Sequence, residues 1–376
     1  MMKKNEIIVI YGKQYKAMAK EILSCAGLAS MIPTKDTLIG IKPNLLGQVL
    51  AEEGATTHPI VVEALIEYLL ENGFQNIVIL EGSWVGDTTA ETVKYCGYDR
   101  ICESYGVPFW DMQKDAHEEV DCAGLRLNIC KSARKIQFLI NVPVLKGHCQ
   151  TRITCALKNM KGLIPNSEKR RFHRMGLHDP IGHLSLGLHQ NFVLVDSICG
   201  DLTFEDGGNP VEQNRLIAAV DPVLCDAYGC SLLGIPLENV PYITTAASLG
   251  VGNCELSQAK ITVLGERDEP ARTETAGYRH VMKLAEKAEE VDSCSACYGY
   301  LIPALEMLEE DGLLKQLKEK ICIGQGHRGK TGELGVGNCT KRFRHTVPGC
   351  PPTEMEMYEF LKHYLQERDV SIQNNN

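Results

Sequence analysis

No run in the sequence approaches the roughly 18 consecutive apolar residues of a membrane-spanning helix. The N-terminal stretch MMKKNEIIVIYGKQYK returns to polar residues after IIVI, too soon for the apolar part of a secretory signal. These absences argue against a membrane protein and lead us to expect a cytoplasmic one. No GxGxxG follows the first apolar run and no GxxxxGK(S/T) is present, so neither a dinucleotide site nor a P-loop is indicated. Aromatic residues make up only 6% of the chain, and the net charge is −9 with a sequence pI near 5.7. General affinity for nucleic acid needs the opposite sign and stacking rings, so no nucleic-acid partner is expected. Low complexity is confined to the closing QNNN.

What is present is an ordinary globular composition, 44% hydrophobic and 23% charged, in 376 residues, enough for two or three domains. Sixteen cysteines are many, but too sparse for a disulfide scaffold, and a cytoplasmic location keeps ordinary thiols reduced. Most should be small buried apolar residues.

Short apolar runs rich in β-branched residues recur: IIVIYG, LIGIKPN, NIVILEG, FLINVPVLK, FVLVDSICG, RLIAAVDP and KITVLGE. Between several of them lies helical periodicity. In THPIVVEALIEYLLENG the apolar residues Val61, Ala64, Leu65 and Tyr68 recur at i, i+3, i+4, i+7, with Pro59 placed to start a helix and Gly73 to end it. This alternation predicts an α/β fold, a mainly parallel sheet flanked by helices. Polar residues follow the runs at Lys42 and Asn44, Glu81, Lys146 and His148, Asp196 and Asp221. Any one could be a solvated strand end, but their recurrence points to the carboxyl edge where α/β sheets bind ligands. We expect this domain to span residues 1–267. The segment RDEPARTETAGYRH then reads as a linker into a C-terminal region, 268–376.

The unusual cysteines lie in that region. SCSACYG gives Cys294 and Cys297 with C-x2-C spacing; Cys339 follows in GVGNCT and Cys350 in VPGCPPT. Such a pair directs two thiolates to one centre, and two more complete an iron-sulfur cluster or a tetrahedral zinc. Glycines beside Cys339 and Cys350 admit close backbone approach, and the prolines after Cys350 fix its backbone. Thr353 and Glu356 form a T-x-x-E capping box ahead of MYEFLKHYL, placing Cys350 near a helix N-terminus that favours negative charge. Cys322, in KICIGQG, could substitute for one ligand or be a strand residue.

From Lys146 to Arg174 there are eight Lys or Arg residues and one acid, Glu168, a local reversal of the overall charge that implies an anionic ligand or an acidic partner surface. Within HCQTRITCALKNMKG, the residues Ile153, Ala156, Leu157 and Met160 form a helical stripe opposite His148, Arg152, Lys158 and Lys161. A helix starting near Gly147 would direct its amides toward an anion at the sheet edge. A solvated basic helix is the plain alternative. The run contains one aromatic residue, Phe172.

The motifs IGIKPNLLG, ATTHPIVVEALIEYL, VILEGS, NVPVLKGHCQTRITCALKNMKGLIP and IAAVDPVLCDAYGCSLLGI together resemble the family called domain of unknown function 362 over roughly residues 38–235. Many members are described as iron-sulfur cluster-binding proteins, some with a ferredoxin-like C-terminal part. The resemblance implies an α/β domain with a ligand site joined to a cluster region. Its motifs fall on Lys42, Pro43 and Asn44, on Lys146, His148, Lys158, Asn159, Lys161 and Gly162, and on Asp196, Asp221 and Asp226. The chain departs from the ferredoxin pattern C-x2-C-x2-C-x3-C-P by having one C-x2-C and distant single cysteines.

We therefore expect a redox protein with an iron-sulfur cluster, [4Fe-4S] by ligand number, on Cys294, Cys297, Cys339 and Cys350. Lys42, Asn44, Lys146, Lys158, Asn159 and Lys161 would bind an anionic small molecule, with His148 or Glu81 as general acid or base. Two other classes fit the same residues. One is an electron carrier or redox sensor docking an acidic partner; the other is a non-redox enzyme on a carboxylate or phosphate, its four cysteines holding a structural zinc. The residue pattern selects a ligand class rather than a substrate, a reaction or an oligomeric state.

Overall fold

The structure is a computed structural model that describes residues 1–202, 205, 210–265 and 275–373. The expected linker begins among residues 266–274, outside the described residues, as does the end of the QNNN tail. The chain forms two compact units, one of Met1–Phe172 with Leu177–Thr275 and one of His173–Gly176 with Ala276–Asn376.

The larger unit is built on an eight-stranded sheet. Its strands are β1 (Glu6–Tyr11), β2 (Ile39–Pro43), β3 (Ile77–Glu81), β4 (Phe109–Asp111), β5 (Phe138–Val142), β6 (Phe192–Asp201), β7 (Pro210–Ala219) and β8 (Lys260–Leu264), in the spatial order β8-β1-β7-β6-β5-β2-β3-β4. Every neighbouring pair is parallel except β1–β7 and β7–β6, so β7 alone runs against the rest. The seven apolar runs read from the sequence are seven of these strands; β4 is too short to carry a pattern. The reversal of β7 follows from its connection. Parallel neighbours need a crossover, whereas β6 and β7 are separated only by residues 202–209 and pair antiparallel from Val193–Ala219 outward.

Successive strand side chains point to opposite faces, and in the inner strands both faces are covered, while the edge strand β8 is exposed. Ile8 and Ile10 enter a core shared with Ile22 and Leu23 of the helix Tyr15–Ala26 and Val61, Leu65 and Leu69 of the helix Pro59–Glu71, while Ile7 and Val9 between them are equally buried. Pro59 opens the second helix and Gly73, at φ +78°, follows its end, as the sequence predicts. No described helix is long and apolar enough to cross a membrane.

Two expectations fail in this unit. Asp221 follows the reversed strand β7, so it lies at the opposite sheet edge from Lys42 and Glu81, where it accepts from Val223 N–H (2.8 Å) and Leu224 N–H (3.1 Å) and caps the helix Pro222–Leu233. The helix expected from Gly147 starts later. Lys146–His148 and Arg152–Thr154 form an antiparallel ribbon, and the helix begins at Ala156. Ile153, Ala156, Leu157 and Met160 are all buried, but across a ribbon, a short helix and a 3-10 turn. An apolar stripe cannot fix secondary structure where neighbours on other faces are buried too.

The smaller unit carries a four-stranded all-parallel sheet, β9 (Ala288–Glu290), β10 (Ile321–Ile323), β11 (Leu334–Val336) and β12 (His345–Val347), in that order. The helix Ser295–Glu310 links the first two strands, and a helix from Glu354 follows the last. Thr353 caps the latter reciprocally: its N–H and hydroxyl donate to Glu356 Oε2 at 2.7 and 2.9 Å, and Glu356 N–H donates to Thr353 Oγ1 at 3.3 Å.

Candidate functional site

At the carboxyl edge of the large sheet the strand ends place charged groups in a buried centre. Lys42 closes β2 in register with Asn141 of β5, and Glu81 closes β3. Lys42 Nζ donates to Glu81 Oε2 at 2.5 Å and to the Pro43 carbonyl at 2.9 Å, with both side chains almost wholly buried. Glu81 also accepts from Gly82 N–H at 2.7 Å. Lys169 adds a second amine, donating to the Gly82 and Ser83 carbonyls at 2.8 and 2.6 Å. Burial lowers Lys42 against the pull of Glu81, and lowers Lys169 to about 8. Gly162 lies against the Lys42–Glu81 pair; a Cβ there would fall 1.7 Å from Glu81 Oε1 and 2.8 Å from Lys42 Nζ.

A second charged group forms around Glu205. Lys158 Nζ donates to Glu205 Oε2 at 3.3 Å, His148 Nε2 contacts the same oxygen, and Lys146 Nζ donates to the Ala55 and Glu205 carbonyls at 2.6 Å each. The His148 tautomer follows from its partners. Nδ1 accepts from the N–H groups of Gln150 (3.0 Å) and Thr151 (3.1 Å), so the ring proton of the neutral imidazole sits on Nε2, facing Glu205. Burial lowers His148 to about 3 despite that carboxylate. Burial alone would raise Glu205, but the facing His148 and Lys158 carry it well below the usual carboxylate range. Lys158 is lowered by burial.

A row of amides adjoins the first group through Asn159, whose Nδ2 lies 3.4 Å from the Lys42 carbonyl. Asn44 Nδ2 donates to Asn159 Oδ1 (3.0 Å), Asn159 Nδ2 to Asn141 Oδ1 (2.7 Å) and Asn141 Nδ2 to Gln190 Oε1 (2.6 Å). Asn44 Oδ1 is buried and has no hydrogen-bond partner among the described residues. Within these two groups buried amines outnumber carboxylates, Lys42, Lys146, Lys158 and Lys169 against Glu81 and Glu205, while Glu168, Asp196, Asp201, Asp221 and Asp226 are buried elsewhere in the unit. Lys161 is half-buried and acts on His148 electrostatically.

Of the residues expected from sequence, Lys42, Asn44, Glu81 and Asn159 thus share one buried network, and Lys146, His148 and Lys158 converge on Glu205. The helix Ala156–Asn159 does not direct its first amides at an open anion seat. The Asp226 carboxylate occupies that position, accepting from Ala156 N–H at 2.7 Å and Leu157 N–H at 3.2 Å, and burial pushes it up to about 7. Glu205 escapes sequence reasoning because an acid in the turn-rich GDLTFEDGGNP carries no local signal. Lys169 is visible there only as one charge in the basic run. Two cavities of about 460 and 300 Å³ lie at the opposite edge of the sheet, around Lys4, Asp221, Gly250 and Val251.

In the smaller unit the carboxyl edge gathers thiols. Beyond β9 the chain reaches Cys294, which precedes the helix Ser295–Glu310, with Cys297 in its first turn; beyond β11 and β12 it reaches Cys339 and Cys350. Burial pushes the Cys297 thiol far up, and Cys294, Cys339 and Cys350 are near enough to raise it further. The two later loops are tied together by Asn338 N–H to the Gly349 carbonyl (2.8 Å) and Gly349 N–H to Asn338 Oδ1 (3.1 Å). A Cβ on Gly337 would lie 3.4 Å from Cys297 Sγ, and its φ of +81° suits glycine. Beyond β10 the equivalent position is Gln325, whose amide donates to Cys294 Sγ at 3.6 Å, while Arg328 Nε donates to Cys339 Sγ at 3.4 Å.

Among the described residues, trios of candidate ligand atoms within 4.8 Å of one another are Cys155, Cys225 and Asp226 in the larger unit and Glu289, Cys322 and His327 in the smaller. The quartet is not so tightly drawn, and Cys322 belongs to a different group from it.

The sequence profile of a family described as a domain of unknown function (DUF362) matches residues 39–231, a range that includes both charged groups and the amide row. Thylakoid-associated protein sll1697 of Synechocystis is 22% identical over 237 residues, covering 60% of this chain and 71% of the relative. Two solved structures are similar in part: a lactate racemase apoprotein from Thermoanaerobacterium thermosaccharolyticum (14% identity, TM-score 0.44) and a protein from Thermotoga maritima (14% identity, TM-score 0.38). They cover 60% and 67% of this chain, which in turn spans 56% and 61% of their lengths.

Proposed function

The chain belongs to the DUF362 family, and from that premise we propose that it is a cytoplasmic iron-sulfur redox protein with a buried site for an anionic small molecule. The observation that carries the cluster is the gathering of Cys294, Cys297, Cys339 and Cys350 at one sheet edge. Thiolates crowded in a half-buried place repel one another, and a bound cationic centre relieves that repulsion. The looser spacing of the thiols favours a cluster over a tetrahedral zinc. A tetrahedral zinc with bonds of about 2.3 Å holds its sulfurs roughly 3.8 Å apart, within the 4.8 Å that no three of these thiols meet. The cluster supplies single-electron transfer when bound; Gln325 and Arg328 would donate to its cysteine sulfurs and set its potential.

The domain division follows the chemistry: an anion-binding α/β region up to about residue 267 and a cluster region from 268. For the first, the support is the excess of buried amines over carboxylates within the two charged groups. Buried lysines favour a small anion over an acidic protein surface, which would need exposed ones. Lys42, Lys146 and Lys158 would bind it and Asn44 and Asn159 orient it. His148 and Glu205 are the donor–acceptor pair on which proton transfer would run, while Glu81 holds Lys42.

The test is iron, acid-labile sulfide and zinc content with a visible spectrum, on protein purified without oxygen, beside a Cys350→Ser variant. The expected result is a brown protein with about four irons and four sulfides, diminished in the variant. A colourless protein with stoichiometric zinc would overturn the redox reading.

A further inference from the structure

The smaller unit has a second cluster of ligating side chains, on a different set of residues from the cysteine quartet. Glu289 of β9 and Cys322 of β10 are partners in the parallel register, so both side chains stand on one face of the sheet. His327 follows β10 in the turn Gln325–His327. One ligand atom from each of the three lies within 4.8 Å of the others. We propose that Glu289, Cys322 and His327 form a surface site for a divalent transition-metal cation, Zn²⁺ by its donor set.

Three features support this. One is the donor chemistry: sulfur, imidazole nitrogen and carboxylate oxygen is a combination that suits zinc and its neighbours and not calcium or magnesium. Another is rigidity. The His327 ring is buried, packs edge-on against Phe343 at 5.9 Å, and places Nε2 3.1 Å from the Glu289 carbonyl. A carbonyl can only accept, so the ring proton is on Nε2 and Nδ1 keeps its lone pair; a backbone carbonyl fixing the tautomer is the usual support of a metal-binding histidine. The third is graded exposure. His327 is buried, Cys322 half-buried and Glu289 exposed, so the site opens to water on one side, leaving room for a fourth ligand. The two groups that bind as anions face each other, and a cation is what allows both to be ionised. Lys330 acts on Cys322 electrostatically and competes for that role.

The experiment is calorimetric titration of the anaerobically purified full chain with Zn²⁺, with zinc K-edge absorption on the loaded protein. We expect one equivalent with one sulfur and otherwise nitrogen or oxygen neighbours. Cys322→Ser and the exposed Glu289→Gln should each weaken binding roughly tenfold or more, on the scale of losing metal-site support, with far-UV circular dichroism and iron content unchanged. Lys330→Gln should tighten it. Unaltered affinity in both Cys322→Ser and Glu289→Gln would overturn the site. So would four sulfur neighbours, or loss of the zinc equivalent in Cys339→Ser with retention in Cys322→Ser, since either would place the zinc on the quartet. Iron content is read separately, so failure of the cluster proposal and failure of this one are distinguishable.

Discussion

The carboxyl ends of parallel strands carry the polar groups in both units, yet the two sets satisfy themselves differently. In the larger unit unlike groups meet: Lys42 with Glu81, and Lys158 and His148 with Glu205. Each carboxylate has a charged partner in the chain, while Lys146 and Lys169 rest on backbone carbonyls. In the smaller unit like groups meet, Cys297 among three other thiols. Thiols supply one another with neither charge nor strong hydrogen bonds, and on the proposed reading a bound metal centre is the partner they share. The same strand-end geometry thus gathers groups that pair with one another in one unit and groups that do not in the other.

The largest effect that tests this contrast is on metal content. Cys297→Ser should take iron and sulfide from about four per chain to near none, whereas Cys322→Ser, outside the quartet, should leave both unchanged. Equal losses in the two variants, by elemental analysis and absorbance, would merge the two groups of ligands and break the comparison.

Next comes the paired centre. Glu81→Gln leaves Lys42 buried without its carboxylate, and removing one partner of a buried pair costs about 3–5 kcal/mol. The double change Lys42→Met with Glu81→Leu removes both charges and should restore most of that stability while abolishing anion binding. Denaturant unfolding and anion titration read the two effects separately; recovery of binding in the double variant would remove Lys42 from the site.

Much of the fold is legible in the sequence because seven strands are apolar runs, most of them buried on both faces although the edge strand β8 is exposed, and because Pro59 and Gly73 punctuate their helix unambiguously. Strand direction is harder to read. Only eight residues separate β6 from β7, too few for a crossover, which is the available sign that β7 reverses and carries Asp221 to the other edge. The helix expected from Gly147 fails for a different reason. Ile153 through Met160 are buried in every direction, and a 3.6-residue period is visible only when one face is wet. Among the site groups, those following apolar runs can be found, whereas Glu205 depends on long-range packing against the ribbon and leaves no trace in local sequence.

Gly162→Ala is a smaller test of the same centre. Its Cβ would overlap Glu81 Oε1 and crowd Lys42 Nζ, atoms that cannot retreat without parting the ion pair. Overpacking of this kind costs about 1–3 kcal/mol. A melting temperature equal to the parent's would mean that the pair is less tightly held than the distances indicate.

The pH dependence of the larger unit sharpens the comparison further. His148 has its folded value lowered from 6.5 to about 3, so the unfolded chain takes up a proton that the folded one refuses; this contribution is full above 6.5 and is lost as pH falls toward 3. Asp226 is raised from 3.8 to about 7, so its contribution is full below 3.8 and is lost as pH rises through 7. Between about pH 4 and 6.5 the two slopes oppose. Asp226→Asn removes one of them, and its stability should then fall on acidification by up to about 1.4 kcal/mol per pH unit more than the parent's. Parallel curves would show that Asp226 titrates normally.

The smallest expected effect separates fold from metal in the smaller unit. Thr353→Ala removes the hydroxyl that accepts from Glu356 N–H and donates to its carboxylate, leaving the first turn of the closing helix short of one partner. Loss of such a cap costs about 1 kcal/mol. Cys350 lies three residues ahead of that cap, in a loop held separately by Asn338 and Gly349, so the variant should unfold slightly earlier while keeping its full iron and colour. A loss of iron comparable to that in Cys297→Ser would mean that the helix start, and not only the paired loops, positions the fourth thiol.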